Sequence, residues 1–167
     1  MDLEIIDNYL PSYYFERIKN TILEDSMFSW KWQDGVTSDH EPNYFQFVHS
    51  FYDYEYENSK SYYLDILQIM ESRLGVKHWR SIKANLNPRT IFKRFHGWHA
   101  DYPAPQYKPG KTAILYLNTN NGCTRFKKGG KVKCVENRLA IFDAYSIHSG
   151  VTCTNQKRKV VVNFNYE

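Results

Sequence analysis

The sequence has few cysteines, and their number and spacing limit what they can do. There are three, Cys123, Cys134 and Cys153, so at least one would stay unpaired, and no C-x-x-C spacing occurs that would indicate a thiolate zinc site. A disulfide framework and a cysteine-based zinc module are therefore both disfavoured. This use of cysteine is typical of a reducing, intracellular compartment, and we expect the protein to be cytoplasmic.

Long hydrophobic runs are also missing. No apolar stretch approaches the roughly 18 residues that a membrane-spanning helix requires, so we expect no contact with a membrane. The opening residues, MDLEIIDNYL, carry Asp2, Glu4 and Asp7 where a secretion signal would have positive charge. We therefore expect no signal peptide.

A strong excess of one charge is the third absence. The formal net charge is only +4, and basic residues are scattered apart from short clusters at 125–133 and 157–159. Nucleic-acid-binding domains usually concentrate basic residues in a stripe. A nucleic-acid partner is therefore not favoured.

Apolar and aromatic residues are plentiful enough for one folded domain. Hydrophobic residues make up 42% of the chain and aromatic residues 17%, far from the composition of a disordered chain. A length of 167 residues fits a single domain. We expect one domain over 1–167, in which 1–80 supply helical support and substrate loops and 81–167 form the core.

Hydrophobic periodicity predicts two helices and then a series of strands. Helical spacing is found after Pro11-Ser12 (Phe15, Ile18, Ile22, Leu23) and again at Tyr63, Ile66, Leu67, Met70 and Leu74, with Gly75 as the C-terminal cap. The predicted strands are SIKANLN, TIFKRF, TAILYLN, TRF, KVKCV, RLAIFDA, GVTCT and RKVVVNFNY. The connections are too short for crossover helices, so the strands should pair antiparallel. A mostly β sandwich or barrel with N-terminal α-helices outside it follows.

A metal site is indicated by FHGWHADYPAP at 95–105. In a strand, His99 and Asp101 point the same way and can reach one ion, and His148 follows an apolar strand that can deliver it to the same place. Two histidines and one carboxylate leave three coordination positions open, which suits non-haem Fe(II). Zinc would usually be tetrahedral with one open position.

Arg158 lies ten residues after His148. If GVTCT and RKVVVNF form a hairpin with a three-residue loop, Arg158 faces the same way as His148 and can grip a carboxylate with two hydrogen bonds; a two-residue loop would turn it away. Lys157 and Lys159 are interpreted as surface charges. His96 has the opposite parity to His99 in an extended strand, so we expect it to face away from the ion.

These residues together resemble the signature of the Fe(II)- and 2-oxoglutarate-dependent dioxygenases. KTAILYLN and NGCTRF are similar to elements of the prolyl 4-hydroxylase-like branch, with Asn121 in place of a glycine, and ENRLAIFDAYSIHSG is similar to the strand that leads to the distal histidine. The resemblance covers roughly residues 80–167. It implies a double-stranded β-helix, that is, a jelly-roll or cupin-like core, and compact members of this kind also occur in phages, which would place the protein in a host cytoplasm.

The resemblance also implies the roles of the site residues. His99, Asp101 and His148 would hold Fe(II), Arg158 and the Tyr116 hydroxyl would bind the far carboxylate of 2-oxoglutarate, and Asn87 and Thr124 would line its pocket. O2 is the oxidant, ascorbate is a further reductant, and the products are succinate, CO2 and a hydroxylated substrate. A peptidyl proline in a peptide or protein is the leading substrate, chosen by the loops around 30–58 and 102–111.

Several alternatives stay open at this stage. The same chemistry could act on a free amino acid or on alkylated nucleic acid, although the demethylase branch has a second arginine where this chain has Phe164 and expects Asn-x-Tyr where it has Asn85-Leu86-Asn87. A non-catalytic jelly-roll binding protein and a zinc hydrolase using His96, His99 and His148 are the other two. Three residues that flank the site, Trp98, Tyr102 and Arg125, could contact substrate, and three further histidines, His40, His49 and His78, have no identified partners.

Overall fold

A computed structural model describes residues 2–35, 44–54, 59–101 and 110–167. A short strand β1 (Glu4–Ile6) precedes helix α1 (Ser12–Glu24). Helix α1 buries Phe15, Ile18 and Ile22 on one face, as their spacing predicts. It ends at Asp25, where the backbone turns extended.

The second predicted helix is present, but its two halves differ in type. Residues Tyr62–Leu67 form a 3-10 helix, whose start is capped by the Ser61 hydroxyl, and the chain then continues as α2 (Gln68–Leu74). Gly75 follows in the left-handed conformation with φ 65°, which a glycine adopts without steric cost. The C-terminal cap is therefore confirmed.

The remaining strands form two antiparallel sheets. They are β2 (Lys31–Asp34), β3 (Phe45–Asp53), β4 (Ser59–Lys60), β5 (Trp79–Pro88), β6 (Lys111–Tyr116), β7 (Cys123–Phe126), β8 (Lys131–Lys133), β9 (Arg138–Asp143), β10 (His148–Val151) and β11 (Arg158–Tyr166). The large sheet has the order β1-β9-β6-β11-β5-β3-β2, with β4 beside β3, and the small sheet has the order β10-β7-β8. This mostly β, antiparallel architecture confirms the predicted fold class.

Two features of the sheets differ from the sequence-based expectation. TIFKRF is not a strand, because only Phe95 of this segment forms a β-bridge, to Val151. The predicted hairpin between GVTCT and RKVVVNF does not form either: β10 pairs with β7 in the small sheet, whereas β11 pairs with β5 and β6 in the large one. Residues 152–157 therefore pass from one sheet to the other.

The two hydrophobic clusters explain how β11 is buried on both faces. Val160, Val162 and Phe164 belong to the cluster that joins the large sheet to α1 and α2. Val161, with the opposite parity, belongs to the cluster between the two sheets. Even-numbered residues of β11 therefore face the helices, and odd-numbered residues face the interior between the sheets.

In the part of the chain that the structure describes, no helix combines the length and the apolar character needed to cross a bilayer.

Candidate active site

His99 and His148 are brought together by their own backbones. They form an antiparallel bridge, in which His99 N–H donates to His148 C=O at 3.0 Å and His148 N–H donates to His99 C=O at 2.8 Å. Their imidazole rings lie with centroids 4.5 Å apart. Because β10 is anchored in the small sheet, it fixes both rings at the edge of the space between the sheets.

Asp101 completes the group. Its Oδ1 lies 4.0 Å from His99 Nε2 and 3.8 Å from His148 Nε2, while its Oδ2 lies 2.7 Å from the Thr112 hydroxyl. That hydroxyl is also 2.7 Å from Asn165 Oδ1, so it donates its single proton to one of the two oxygens at a time. Asp101 is thereby held with one oxygen directed at both histidines.

The hydrogen bonding of His148 and the environment of His99 favour metal binding by these two imidazoles. His148 Nδ1 lies 2.9 Å from the Ser146 carbonyl oxygen, which holds the proton on Nδ1 and leaves the Nε2 lone pair free. Burial lowers the pKa of His99, and the nearby His148 lowers it further, against a smaller opposing effect of Asp101. A metal binds the deprotonated imidazole, so a lowered pKa favours binding.

One ligand atom from each of His99, Asp101 and His148 lies within 4.8 Å of the others. One nitrogen from each of two histidines and one carboxylate oxygen, all on one side of a common point, is the donor set of mononuclear non-haem Fe(II) centres. The residues present therefore fit such an ion. The spacing is wider than a bound ion would impose.

His96 occupies a different position from the one its parity predicts. It is buried and lines the same cavity as His99. Between the bridges Phe95–Val151 and His99–His148, the first segment advances four residues and the second only three, and Gly97 has φ 68°. This extra residue is a β-bulge, which changes the alternation of side chains, so His96 and His99 both face inward.

His96 is nevertheless not part of the metal group. Neither of its ring nitrogens has a hydrogen-bond partner among the described residues. Burial, with the nearby Lys159 amine, lowers its pKa to about 4. The ring is therefore neutral at pH 7, and its nitrogens are available to a ligand in the cavity.

The cavity beside the metal group has a volume of about 310 Å³, within the range of small-molecule sites. Among the described residues its walls are mostly polar, and Asp101 is the only acidic side chain in them. The lining residues are Gln33, Gln46, Ser81, Lys83, Asn85, Asn87, His96, His99, Ala100, Asp101, Ile114, Thr124, His148, Gly150, Lys159, Val161, Asn163 and Asn165.

The cation on β11 that faces this cavity is Lys159 rather than Arg158. Lys159 is 3% exposed, and its amine donates to the Cys123 and Val151 carbonyl oxygens at 3.0 and 3.3 Å. The Arg158 guanidinium lies on the other face of the sheet and donates to the Leu23 carbonyl oxygen at 2.8 Å and to Glu24 at 3.3 Å. The expected orientations of Arg158 and Lys159 are therefore wrong.

The physical reason is the double burial of β11. The predicted hairpin with GVTCT put Arg158 on the His148 side, but Arg158 shares the parity of Val160, Val162 and Phe164 on β11. That apolar face is covered by the helices instead. The face with Lys159, Asn163 and Asn165 is the one that lines the cavity.

Gly122 makes room for the Lys159 side chain. A β-carbon at this position would lie 2.8 Å from the Val151 carbonyl oxygen, 2.8 Å from Asn120 Oδ1 and 3.3 Å from Lys159 Cδ. The first of these is backbone and cannot easily move away. The glycine in NGCTRF therefore has a steric role beside the buried lysine.

The other predicted cosubstrate residues lie around Lys159. Thr124 and Asn87 line the cavity, whereas Tyr116 is fully buried behind it and donates from its hydroxyl to Thr124 Oγ1 at 2.7 Å. Burial raises the pKa of Tyr116, which keeps the proton on this hydroxyl. Asn87 donates to Gln46 Oε1 at 3.5 Å.

The remaining candidates within the described residues do not line the cavity. His49 packs in the helix layer, where its ring nitrogens contact the Ser29 carbonyl oxygen and the Ser61 hydroxyl. His78 and Arg125 are exposed, and Trp98 packs edge-on against Phe95. His40 and Tyr102 lie outside the described residues, as do most of the loops expected to choose the substrate.

Sequence reasoning missed a group of polar residues that line the cavity. Four of them alternate along β5 (Ser81, Lys83, Asn85, Asn87), and three lie on one face of β11 (Lys159, Asn163, Asn165), where Val161 takes the intervening position. The strict alternation of polar and apolar residues along β5 was the signal that could have revealed this wall.

The fold is shared with a known class of protein. The eight-stranded and three-stranded sheets, with a His-x-Asp pair and a distal histidine at the open edge, form the fold of the 2-oxoglutarate-Fe(II) oxygenases. The resemblance indicated by the sequence motifs is thus confirmed at the level of the fold. A scan of protein-family models and a search of curated protein sequences both give no match.

The particular similarities come from solved structures. A prolyl-4-hydroxylase from Pseudomonas putida superposes with a TM-score of 0.68 at 15% identity, over 99% of this chain and 92% of the other. A 2OG-Fe(II) oxygenase family protein from Burkholderia pseudomallei gives 0.68 at 10% identity, over 98% and 85%. A prolyl hydroxylase from Trichoplax adhaerens, in complex with a peptide fragment of the hypoxia inducible factor oxygen degradation domain, gives 0.64 at 12% identity, over 98% and 83%.

Proposed function

We propose that the protein is an Fe(II)- and 2-oxoglutarate-dependent dioxygenase that hydroxylates its substrate. One observation carries this proposal: the ligand atoms of His99, Asp101 and His148 converge at a cavity of about 310 Å³ whose wall also holds a buried lysine amine. A metal group and a cation for a dicarboxylate are the two requirements of this chemistry. The similarity of fold to 2OG-Fe(II) oxygenases supports the same conclusion.

His99, Asp101 and His148 would hold the iron. When bound, Fe(II) and 2-oxoglutarate would activate O2, so that one oxygen atom enters succinate as the keto acid loses CO2 and the other hydroxylates the substrate. The Ser146 carbonyl fixes the tautomer of His148, and Thr112 orients Asp101. These contacts hold the donor atoms in place before the metal arrives.

Lys159 would bind the far carboxylate of 2-oxoglutarate. Two of the three N–H groups of its amine are used by the Cys123 and Val151 carbonyl oxygens, which leaves one for a ligand. The described residues give this buried cation no carboxylate partner. Because a buried charge is costly when it is unpaired, a bound dicarboxylate would stabilise the site.

Thr124 and Tyr116 support the same carboxylate. The Tyr116 hydroxyl donates to Thr124 Oγ1, so the threonine proton is free to be donated into the cavity. Tyr116 would therefore act through Thr124 and not by direct contact. Asn87, which is paired with Lys159 across β5 and β11, completes this end of the cavity.

A peptidyl proline is the substrate that the similar structures favour, since two of them are prolyl hydroxylases and one of these holds a peptide. A cytoplasmic location, inferred from three free cysteines, and a phage origin stay predictions.

A zinc hydrolase is less well supported, because His96 lies outside the metal group. A nucleic-acid demethylase is also disfavoured, because Phe164 is packed against the helices.

The test of this function is formation of succinate from 2-oxoglutarate in the presence of Fe(II) and O2. We expect turnover by the native protein and none by His99→Ala. Arg158→Gln keeps the metal group intact and should therefore turn over as well. Under anaerobic conditions the melting temperature of the protein should rise on addition of Mn(II) plus 2-oxoglutarate, because both bind only the folded state. A non-catalytic binding barrel would give no succinate in any of the three proteins.

A further inference from the structure

We infer that Lys83, Asn85 and Asn163 form a second recognition site in the cavity, which binds the carboxylate and the ammonium group of a free amino acid as substrate. This inference rests on the proposed function and specifies its substrate class. It departs from the peptidyl proline that the similar structures favour, and the reason lies in which polar atoms of the wall lack partners.

The three residues are adjacent on one face of the large sheet. Lys83 and Asn85 are two residues apart on β5, and Asn163 of β11 is directly opposite Lys83. All three line the cavity. They therefore present one amine and two side-chain amides to the same region of space.

Within the described part of the chain, two of these side chains carry an unsatisfied buried oxygen, and the third, the half-buried Lys83, has no ion pair. Asn85 Oδ1 and Asn163 Oδ1 are buried and have no hydrogen-bond partner. Lys83 contacts no carboxylate, because the only acidic residue of the described wall is Asp101, whose oxygens are directed at Thr112 and the histidines. Buried polar groups are usually hydrogen-bonded, and such a cluster of exceptions points to a missing ligand.

The cluster is distinct from the proposed cosubstrate end of the cavity. Asn163 is four residues from Lys159 along β11, which corresponds to about 13 Å along an extended strand. It is only two residues from Asn165, whose side chain contacts the Thr112 hydroxyl that holds Asp101. Asn163 and Lys83, its partner across the strands, therefore lie toward the metal group, where a substrate must approach, while Asn85 lies between them and the Lys159 end.

The chemistry of the cluster defines the ligand. An amine without an anion calls for a carboxylate, and two amide oxygens without donors call for N–H groups. A free amino acid carries a carboxylate and an ammonium group on one carbon, so it satisfies all three side chains together. An internal prolyl residue of a peptide offers neither, since its nitrogen has no hydrogen and its carbonyl is uncharged.

The experiment is a calorimetric titration of the anaerobic protein loaded with Mn(II) and 2-oxoglutarate. The probes are the twenty free L-amino acids, the N-acetyl methylamide of each, and an end-capped proline-containing peptide. We expect at least one free amino acid to bind, and its capped form to bind at least about tenfold more weakly. Lys83→Gln should weaken that amino acid about tenfold, and Asn163→Leu should weaken it as well, while the affinity for 2-oxoglutarate is unchanged in both.

Lys131→Gln, on the exposed part of β8, is the matched control and should leave both affinities as they are. The inference is overturned if no free amino acid binds, if the capped peptide binds more tightly than every free amino acid, or if Lys83→Gln weakens 2-oxoglutarate instead. Failure of the proposed function is a separate result, because then Mn(II) and 2-oxoglutarate themselves would not bind.

Discussion

Arg158 and Lys159 are neighbours on β11, and their charges lie on opposite sides of the large sheet. The guanidinium of Arg158 binds the C-terminal end of α1 through the Leu23 carbonyl oxygen and Glu24. The amine of Lys159 is buried at the cavity wall. One cation thus ties a helix to the sheet, and the other faces the cavity.

Substitution of these two residues should have separable effects. Lys159→Gln removes the buried cation, so we expect 2-oxoglutarate to bind at least about tenfold more weakly, since a charged hydrogen bond is typically worth 1.5–3 kcal/mol. Arg158→Gln should leave that affinity within about twofold and lower stability only slightly, because its ion pair with Glu24 is at the surface. Titration of 2-oxoglutarate into both Mn(II)-loaded variants checks this, and the reverse order of effects would contradict the assignment of Lys159.

Gly122→Ala should destabilise the fold. The added β-carbon would meet the Val151 carbonyl oxygen at 2.8 Å, and overpacking of this kind typically costs about 1–3 kcal/mol. The matched control is Gly150→Ala, whose nearest contacts, to His96 and Lys159, lie at 3.4 and 3.5 Å. We expect urea unfolding to show the larger loss for Gly122→Ala, and equal losses would show that the close approach beside Lys159 is not limiting.

Thr124→Val should leave the Tyr116 hydroxyl without an acceptor. Since this hydroxyl is fully buried, the unmade hydrogen bond should cost about 1–3 kcal/mol of the free energy of unfolding. Adding Tyr116→Phe removes the unsatisfied donor, so the double variant should recover much of that loss. Chemical denaturation of the two single variants and the double variant measures the coupling, and purely additive losses would argue against this hydrogen bond.

His96 should make the protein less stable in acid. Its pKa is about 4 in the folded protein and near 6.5 when unfolded, so between these values the unfolded chain binds the proton and the folded one does not. Stability is therefore full above pH 6.5 and falls by up to about 3 kcal/mol as the pH drops toward 4. The pKa of His99 is also lowered in the folded protein, so part of this acid sensitivity would remain when His96 is replaced.

His96→Gln should consequently reduce the difference in unfolding free energy between pH 7 and pH 5. His78→Gln, at an exposed position, serves as the control and should not change it. The measurement is urea unfolding of the metal-free protein at the two pH values. An unchanged pH dependence in His96→Gln would mean that the imidazole is already solvated in the folded state.

Much of the fold was predictable because it depends on local patterns. The spacing of Phe15, Ile18 and Ile22 identified α1, and Gly75 identified the end of α2. The metal group was predictable for a similar reason: His99 and Asp101 share a short segment, and His148 follows a clear strand. Two histidines and one carboxylate at such positions serve few functions other than metal binding, so these residue types were informative even without coordinates.

The failures have a common cause, which is that side-chain direction depends on what covers each face. A one-residue bulge at Gly97 turned His96 inward, and nothing in the histidine spacing records that bulge. The hairpin expected between GVTCT and RKVVVNF placed Arg158 wrongly, because the two segments belong to different sheets.

By itself, the sequence determined the two helical segments, most of the strands after residue 80, the three metal-ligand candidates and the fold that they resemble. Only the tertiary structure decided which face of β11 looks into the cavity, and hence that Lys159 and Asn163 line it together with Asn85 of β5. The reason is that both faces of this strand are buried, one under the helices and one between the sheets. Alternation along a strand reveals that two faces differ, but it does not say which of them encloses the ligand.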